Sequence, residues 1–197
     1  MFPLKSIMAA FALLFTAPIA LSSVAAAQGT NVVVIDRVKI YAESQAGQDL
    51  RNKVAAIETT MQGELKPTAD KLQADGTALD AKTTGMTRET ILADAALTAE
   101  VNQLARDAQT FQQRRQIVAN ELALTERTAL AEFNNALIPV LREVVAETGA
   151  NVILDKSQVI FVDDATDVSA SVITKLNAAT PTINVVRQRV PTQPAQQ

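Results

Sequence analysis

The residues in this chain best suited to chemistry are acidic. Asp163, Asp164 and Asp167 cluster late in the sequence, while Asp36 and Asp155 each close a run of β-branched residues. A cation site would want more oxygen ligands at coordinated spacing than this cluster supplies. Asp167 reads instead as the cap of a following helix, with Asp163 and Asp164 as solvated loop charges. Asp36 and Asp155 could be imagined as paired carboxylates, yet the chain has no histidine to exchange a proton with them. Their residue type suits strand-end turns. Cysteine is absent as well, so disulfides, zinc sites and Cys or Ser-His nucleophiles are excluded. Arg114 and Arg115 interrupt an apolar stripe; such a pair snorkels out of a helix seam or bonds a neighbouring subunit more readily than it builds a phosphate site. The sequence therefore predicts no enzyme, no metal and no cofactor.

Composition says what the chain builds instead. About one domain is expected from 197 residues. There are six Phe, one Tyr (Tyr41) and no Trp, yet 48% of the chain is apolar. That surplus is Ala, Val and Leu, the stock of long helices rather than of a thick core. The net charge of −3 argues against nucleic acid as a partner. Residues 1–27 have the three parts of a secretory signal peptide. Lys5 precedes an apolar run over 7–21, and Ala25, Ala26 and Ala27 supply a cleavage site before Gln28. The run is broken by Pro18 and is shorter than the roughly 20 residues needed to span a bilayer. An exported, soluble protein is expected.

Residues 31–36 form a compact β-branched run that reads as a buried strand. Two more such runs, 151–155 and 158–162, flank Lys156-Ser157 and read as a hairpin, although Lys-Ser is not a favoured turn pair. Between them the sequence is helical. From Leu97 a seam of alternating steps runs through Val101, Leu104, Ala108, Phe111, Arg115, Val118, Leu122, Thr125 and Ala129. This is a coiled-coil pattern. An earlier leg carries Leu50, Val54, Ile57 and Met61, then slips phase beside Pro67, where a kink is expected. Its distal layers Thr68, Asp75 and Lys82 are polar, and Thr90 and Asp94 take seam positions across from them, so both legs are weak near their turn. Thr83-Thr84-Gly85-Met86-Thr87 reverses the chain, placing Met61 opposite Phe111, Leu50 near Leu122, and Ser44 opposite Ala129. Helix one, over 44–84, should be about 60 Å long. Helix two continues to about 148, with a kink expected at Pro139, and Gly149 ends it.

Three short strands make no independent sheet, so other subunits must complete it. The expected fold is α+β: a small β body from 28–43 plus 130–177, completed by oligomerisation, with a helical-hairpin arm over 44–129. Val32, Val34, Ile153, Val159 and Phe161 are the expected oligomerisation residues. A closing helix covers 167–177, and 178–197, with three prolines, reads as a disordered tail. Ile91, Leu92, Ile117 and Leu124 lie off the seam and Met86 lies at the turn. They are the candidates for weak apolar contact with an unfolded client.

The terminal blocks carry a resemblance. VVVIDRVKIYAESQAGQDL at 32–50 and VVAETGANVILDKSQVIFVDDATDVSASVITKLN at 144–177 resemble the first strand and helix and the closing segment of the Skp (OmpH-like) periplasmic chaperones. The resemblance implies a homotrimer with a shared β-barrel body. It also implies arms that hold unfolded outer-membrane proteins in a periplasmic cavity without ATP. Better-known members are strongly basic, a property linked to lipopolysaccharide. Here residues 44–147 carry 11 Lys+Arg against 15 Asp+Glu, so lipopolysaccharide binding is not supported and membrane contact is at most transient. The alternative is a coiled-coil adaptor or spacer of the cell envelope.

Overall fold

The computed structural model describes residues 29–190; the expected signal peptide and residues 191–197 lie outside the described residues. The chain order is β1 (Val32–Ile35), α1 (Arg37–Glu43), α2 (Gln45–Thr83), α3 (Arg88–Ala93), α4 (Ala95–Thr148), β2 (Val152–Asp155) and α5 (Ser169–Ala179). This is the α+β architecture expected, dominated by two long helices.

Four β-branched residues make β1, and it pairs in parallel with β2, Val32 opposite Val152 through Ile35 opposite Asp155. The whole hairpin is the crossover between them, which a parallel pair requires. The other edge of β1 takes a single bridge from Val34 to Asp167, with Val168 N–H donating to the Val34 carbonyl at 2.9 Å. No strand forms over 158–162, contrary to the hairpin expected there. The Asp155 carboxylate accepts from Ser157 N–H at 2.9 Å and turns Lys156–Gln158 into a short 3-10 helix. A Lys-Ser pair cannot supply the positive φ angles of a tight hairpin, so the local Asp turn wins.

Ser44 ends α1 and starts α2, its Oγ accepting from Gly47 N–H at 3.1 Å. The bend presses Gly47 onto the end of α1: a Cβ at Gly47 would collide with the Tyr41 carbonyl oxygen. Arg51 donates to the Tyr41 and Ala42 carbonyls at 2.7 and 2.9 Å, satisfying groups that the end of α1 leaves open. The core lies where α1, the start of α2, the end of α4 and α5 meet. Ile40, Leu50, Phe133, Val140, Val172 and Leu176 are buried there, and the Tyr41 ring stands edge-on to Phe133 at 5.4 Å. Each such aliphatic side chain contributes about 1.5–3 kcal/mol by burial.

α2 runs unbroken through Pro67 for 39 residues, about 58 Å. Gly85, at φ +78°, turns the chain, as its lack of a Cβ permits. The reversal is longer than the sequence suggests, because α3 intervenes and packs on α4. Thr87 caps α3, and Asp94 Oδ1 caps α4 by accepting from Ala96 and Leu97 N–H at 2.8 and 3.0 Å. Asp94 is thus a cap and not a seam residue. This extra turn shifts the register of the legs. Lys82 bonds Glu100 at 2.7 Å, and Arg114 reaches Glu64 at 3.4 Å. Met61, three residues before Glu64, is therefore level with Ile117 and Val118 rather than Phe111. Leu50 shares a groove with Leu130, not Leu122.

Residues 180–190 depart from the expected disorder. They run extended along the base of the hairpin, and Ile183 joins the core. Polar composition concealed an alternation: Ile183, Val185 and Arg187 turn inward, while Asn184 and Val186 face out.

Candidate functional site: apolar surface on arm and body

The arm displays apolar side chains that its own seam does not cover. At the tip, Met86 is partly open, Leu92 is 60% exposed, and Ile91 is half-buried against the α3–α4 junction. Further down, Ile117 is half-buried and Leu124 exposed; seven residues apart, they form one stripe along α4. The five residues therefore fall into two groups, one at the tip and one midway along the arm. Val101, expected in the seam, is exposed and belongs with them. The register shift left it without a partner, which heptad counting alone could not reveal.

The distal legs are held more by charge than by packing. Lys71, Asp75, Leu79, Lys82, Glu100 and Leu104 line an open groove of about 300 Å³ between them. Asp75 pairs with Lys71 one turn earlier and raises its ammonium pKa above the ordinary lysine value. Leu72, Leu79, Leu97 and Leu104 are only half-buried. Exposed ion pairs contribute about 0–1 kcal/mol each, so this end of the arm opens easily.

The body has apolar surface of its own. Val34 is 2% exposed, already buried within a single chain, and Ile153 packs against the core. Val32 and Val159 are half-buried. Phe161 is 83% exposed, and its neighbour Ile160 is fully open. Val152 and Leu154 are open on the outer face of β2, while Ile138 on α4 is open on the side of β2 that Ile153 faces. Reading 158–162 as a paired strand hid how open Ile160 and Phe161 are. Large apolar side chains left open in this way are candidates for contact with a partner.

The acidic residues do structural work. Asp36 Oδ1 accepts from Lys39 N–H at 2.9 Å and caps α1. Asp163 accepts from Ala165 N–H at 2.9 Å and caps a short 3-10 turn. Asp167 sits two residues before the start of α5, whose N-cap position is taken by Val168 and not by the expected Asp167; Asp167 receives Lys156 Nζ at 2.8 Å and Ser169 N–H at 2.9 Å. Lys156 first, then the Ser169 hydroxyl, lowers the Asp167 pKa to about 2. Asp155 is held below the ordinary carboxylate value by the Ser157 hydroxyl and N–H, with Arg37 adding a smaller pull. Both stay anionic at neutral pH, which does not suit a proton donor. Arg114 and Arg115 divide: Arg114 reaches Glu64 within its own chain, and Arg115 is exposed.

Sequence reasoning missed one further cluster. Glu121, 3% exposed, receives Arg187 Nη2 at 2.7 Å and Nε at 3.2 Å, and the same guanidinium also bonds Glu64. The partners are far apart in sequence, and the cation sits in a segment that read as tail.

A small parallel β body carrying one long antiparallel helical hairpin defines the class of protein. Residues 31–176 match the family described as Outer membrane protein (OmpH-like), and the chain belongs to that family. A crystal structure of an OmpH-like protein from Caulobacter crescentus, provisionally assigned as an outer membrane chaperone, superposes with a TM-score of 0.71 at 24% identity. The match covers 83% of this chain and 94% of that one, and at this identity it speaks for the fold. Comparison with curated proteins found no match.

Proposed function

We propose that the protein is an ATP-independent holdase of the periplasm that keeps unfolded outer-membrane proteins soluble between its helical arms. Family membership supports a chaperone role, and the Caulobacter crescentus relative is assigned in the same direction. The observation that carries the reading is the arm itself. It exposes Met86, Val101, Leu92 and Leu124 along a hairpin whose distal half is weakly packed. Sequence-independent holding needs many weak apolar contacts on a surface able to yield. The working unit is a homotrimer, in which Val152, Leu154, Ile160 and Phe161 meet other subunits, which cover the edge of β2 left unpaired among the described residues. The signal peptide over 1–27 would direct export, with cleavage before Gln28.

Aggregation of a denatured β-barrel protein, followed by light scattering without nucleotide, tests this reading. The mature protein should suppress scattering at a near-equimolar ratio of trimer to client. Replacing Leu92 and Leu124 together by Ser should weaken suppression several-fold while leaving helical content unchanged. Scattering unaffected by the wild-type protein would overturn the holdase and favour an envelope spacer.

A further inference from the structure

The segment after α5 is bound as a peptide would be. Its inward residues Ile183, Val185 and Arg187 keep the period of two of an extended strand. The hairpin also grips its main chain with side chains. Asp49 Oδ2 accepts from Ile183 N–H at 2.8 Å, and Lys53 Nζ donates to the Ile183 carbonyl at 2.7 Å. Farther along, Thr125 Oγ1 accepts from Gln188 N–H at 2.9 Å. Asp49 and Lys53 lie one turn apart on α2 and bond each other at 2.7 Å, so an acceptor and a donor are presented side by side. Contacts of this kind read backbone, which any extended segment offers, and leave selectivity to the alternate side-chain pockets.

Those pockets have a definite chemistry. The first two are apolar, since Ile183 is buried in the core and Val185 packs on it. The third is anionic: Glu121 on α4 is almost fully buried, and Glu64 on α2 faces the same guanidinium. Glu121 is covered with Arg187 in place, and an occupant that covered it without a cation would bury an unpaired carboxylate, which is strongly unfavourable, so the groove selects for positive charge at that place. We propose that this groove is a binding site for extended peptide segments of the pattern apolar–x–apolar–x–cation, and that residues 182–190 occupy it in cis as a displaceable cap. The tether holds the cap at an effective concentration on the order of millimolar, so only a segment matching all three pockets competes. The groove runs along the lower half of the hairpin, where Thr125 is buried and its neighbour Leu124 is exposed, and its occupancy can be read whether or not the protein suppresses aggregation.

The test uses the full mature chain and a fluorescent peptide, TINVVRQRV, copied from residues 182–190. Binding is followed by anisotropy for the wild type and for Arg187→Ala, which weakens the cis cap. The Arg187→Ala chain should bind the peptide at least tenfold tighter than wild type. A peptide with Glu in place of its first Arg should lose at least tenfold. Equal binding by the two chains, or equal binding of the two peptides, would overturn the proposal. A second measurement needs no variant: on the wild-type chain, millimolar unlabelled peptide should speed hydrogen exchange at the Ile183 and Gln188 amides several-fold. Exchange unchanged by the peptide would show a fixed structural strap and contradict a displaceable cap.

Discussion

Gly47 and Asp167 show how single residues fix the base on which the arm stands. Gly47 allows α2 to start against the Tyr41 carbonyl, and no larger residue fits without moving backbone. Alanine gains about 0.5–1 kcal/mol of helix propensity there but meets an overpacking cost of about 1–3 kcal/mol. Gly47→Ala should therefore destabilise the protein by about 1–2 kcal/mol in urea unfolding; a neutral or stabilising result would show that the α1–α2 bend yields freely. Asp167 links α5 to Lys156, and its folded-state pKa, near 2, lies below the ordinary value of 3.8. A lowered carboxylate pKa gives stability that is fully present above about pH 4 and lost as pH falls toward 2. Asp167→Asn should remove about 2 kcal/mol at neutral pH and flatten the acid limb of the stability curve between pH 4 and 2. The roles of Asp36 and Asp155 as strand-end turn groups were legible from residue type and position, whereas Asp167, read as the cap of the closing helix, stands one residue outside the N-cap position, which Val168 takes. Glu121 with Arg187 was not, because a buried ion pair between distant segments leaves no local pattern.

Helices were more legible than strands. Ser44 and Gly149 mark the start of α2 and the end of α4 as their types suggest, Gly149 in the left-handed conformation at φ +66°. The third strand was misread because β-branched composition shows affinity for a sheet without showing a partner, and the Asp155 turn removes the hairpin geometry. The seam pattern gave the period of the legs but not their relative shift, which α3 sets. Stability should fall along the hairpin toward the tip. Below the middle, Met61 and Val118 are buried and residues 180–190 fasten both legs; beyond it, half-buried leucines alternate with exposed ion pairs. Amides over 71–103 should exchange at least tenfold faster than those over 118–130. Uniform protection would mean a stiff arm and would argue for a spacer.

At the scale of the molecule, a single chain leaves two kinds of apolar surface open, on the arm and on the body. The sequence suggested an oligomer because its strands are too few for a sheet, and the proposed trimer is to be tested at particular residues. Among the described residues β1 is paired on both edges and β2 on one, so in the proposed trimer the open edge of β2 and the exposed Ile160–Phe161 corner are the contacts to test. Val34, buried within its own subunit, serves the body's core, whereas Phe161→Asp should separate subunits and leave the helices intact. The proposed assembly of arms around a client would join both surfaces in one function. Native mass of the mature protein, alone and mixed with an unfolded β-barrel membrane protein, tests that account most directly. Three chains alone, and three chains plus one client without nucleotide, are the masses expected; a monomer that takes up no client would contradict it.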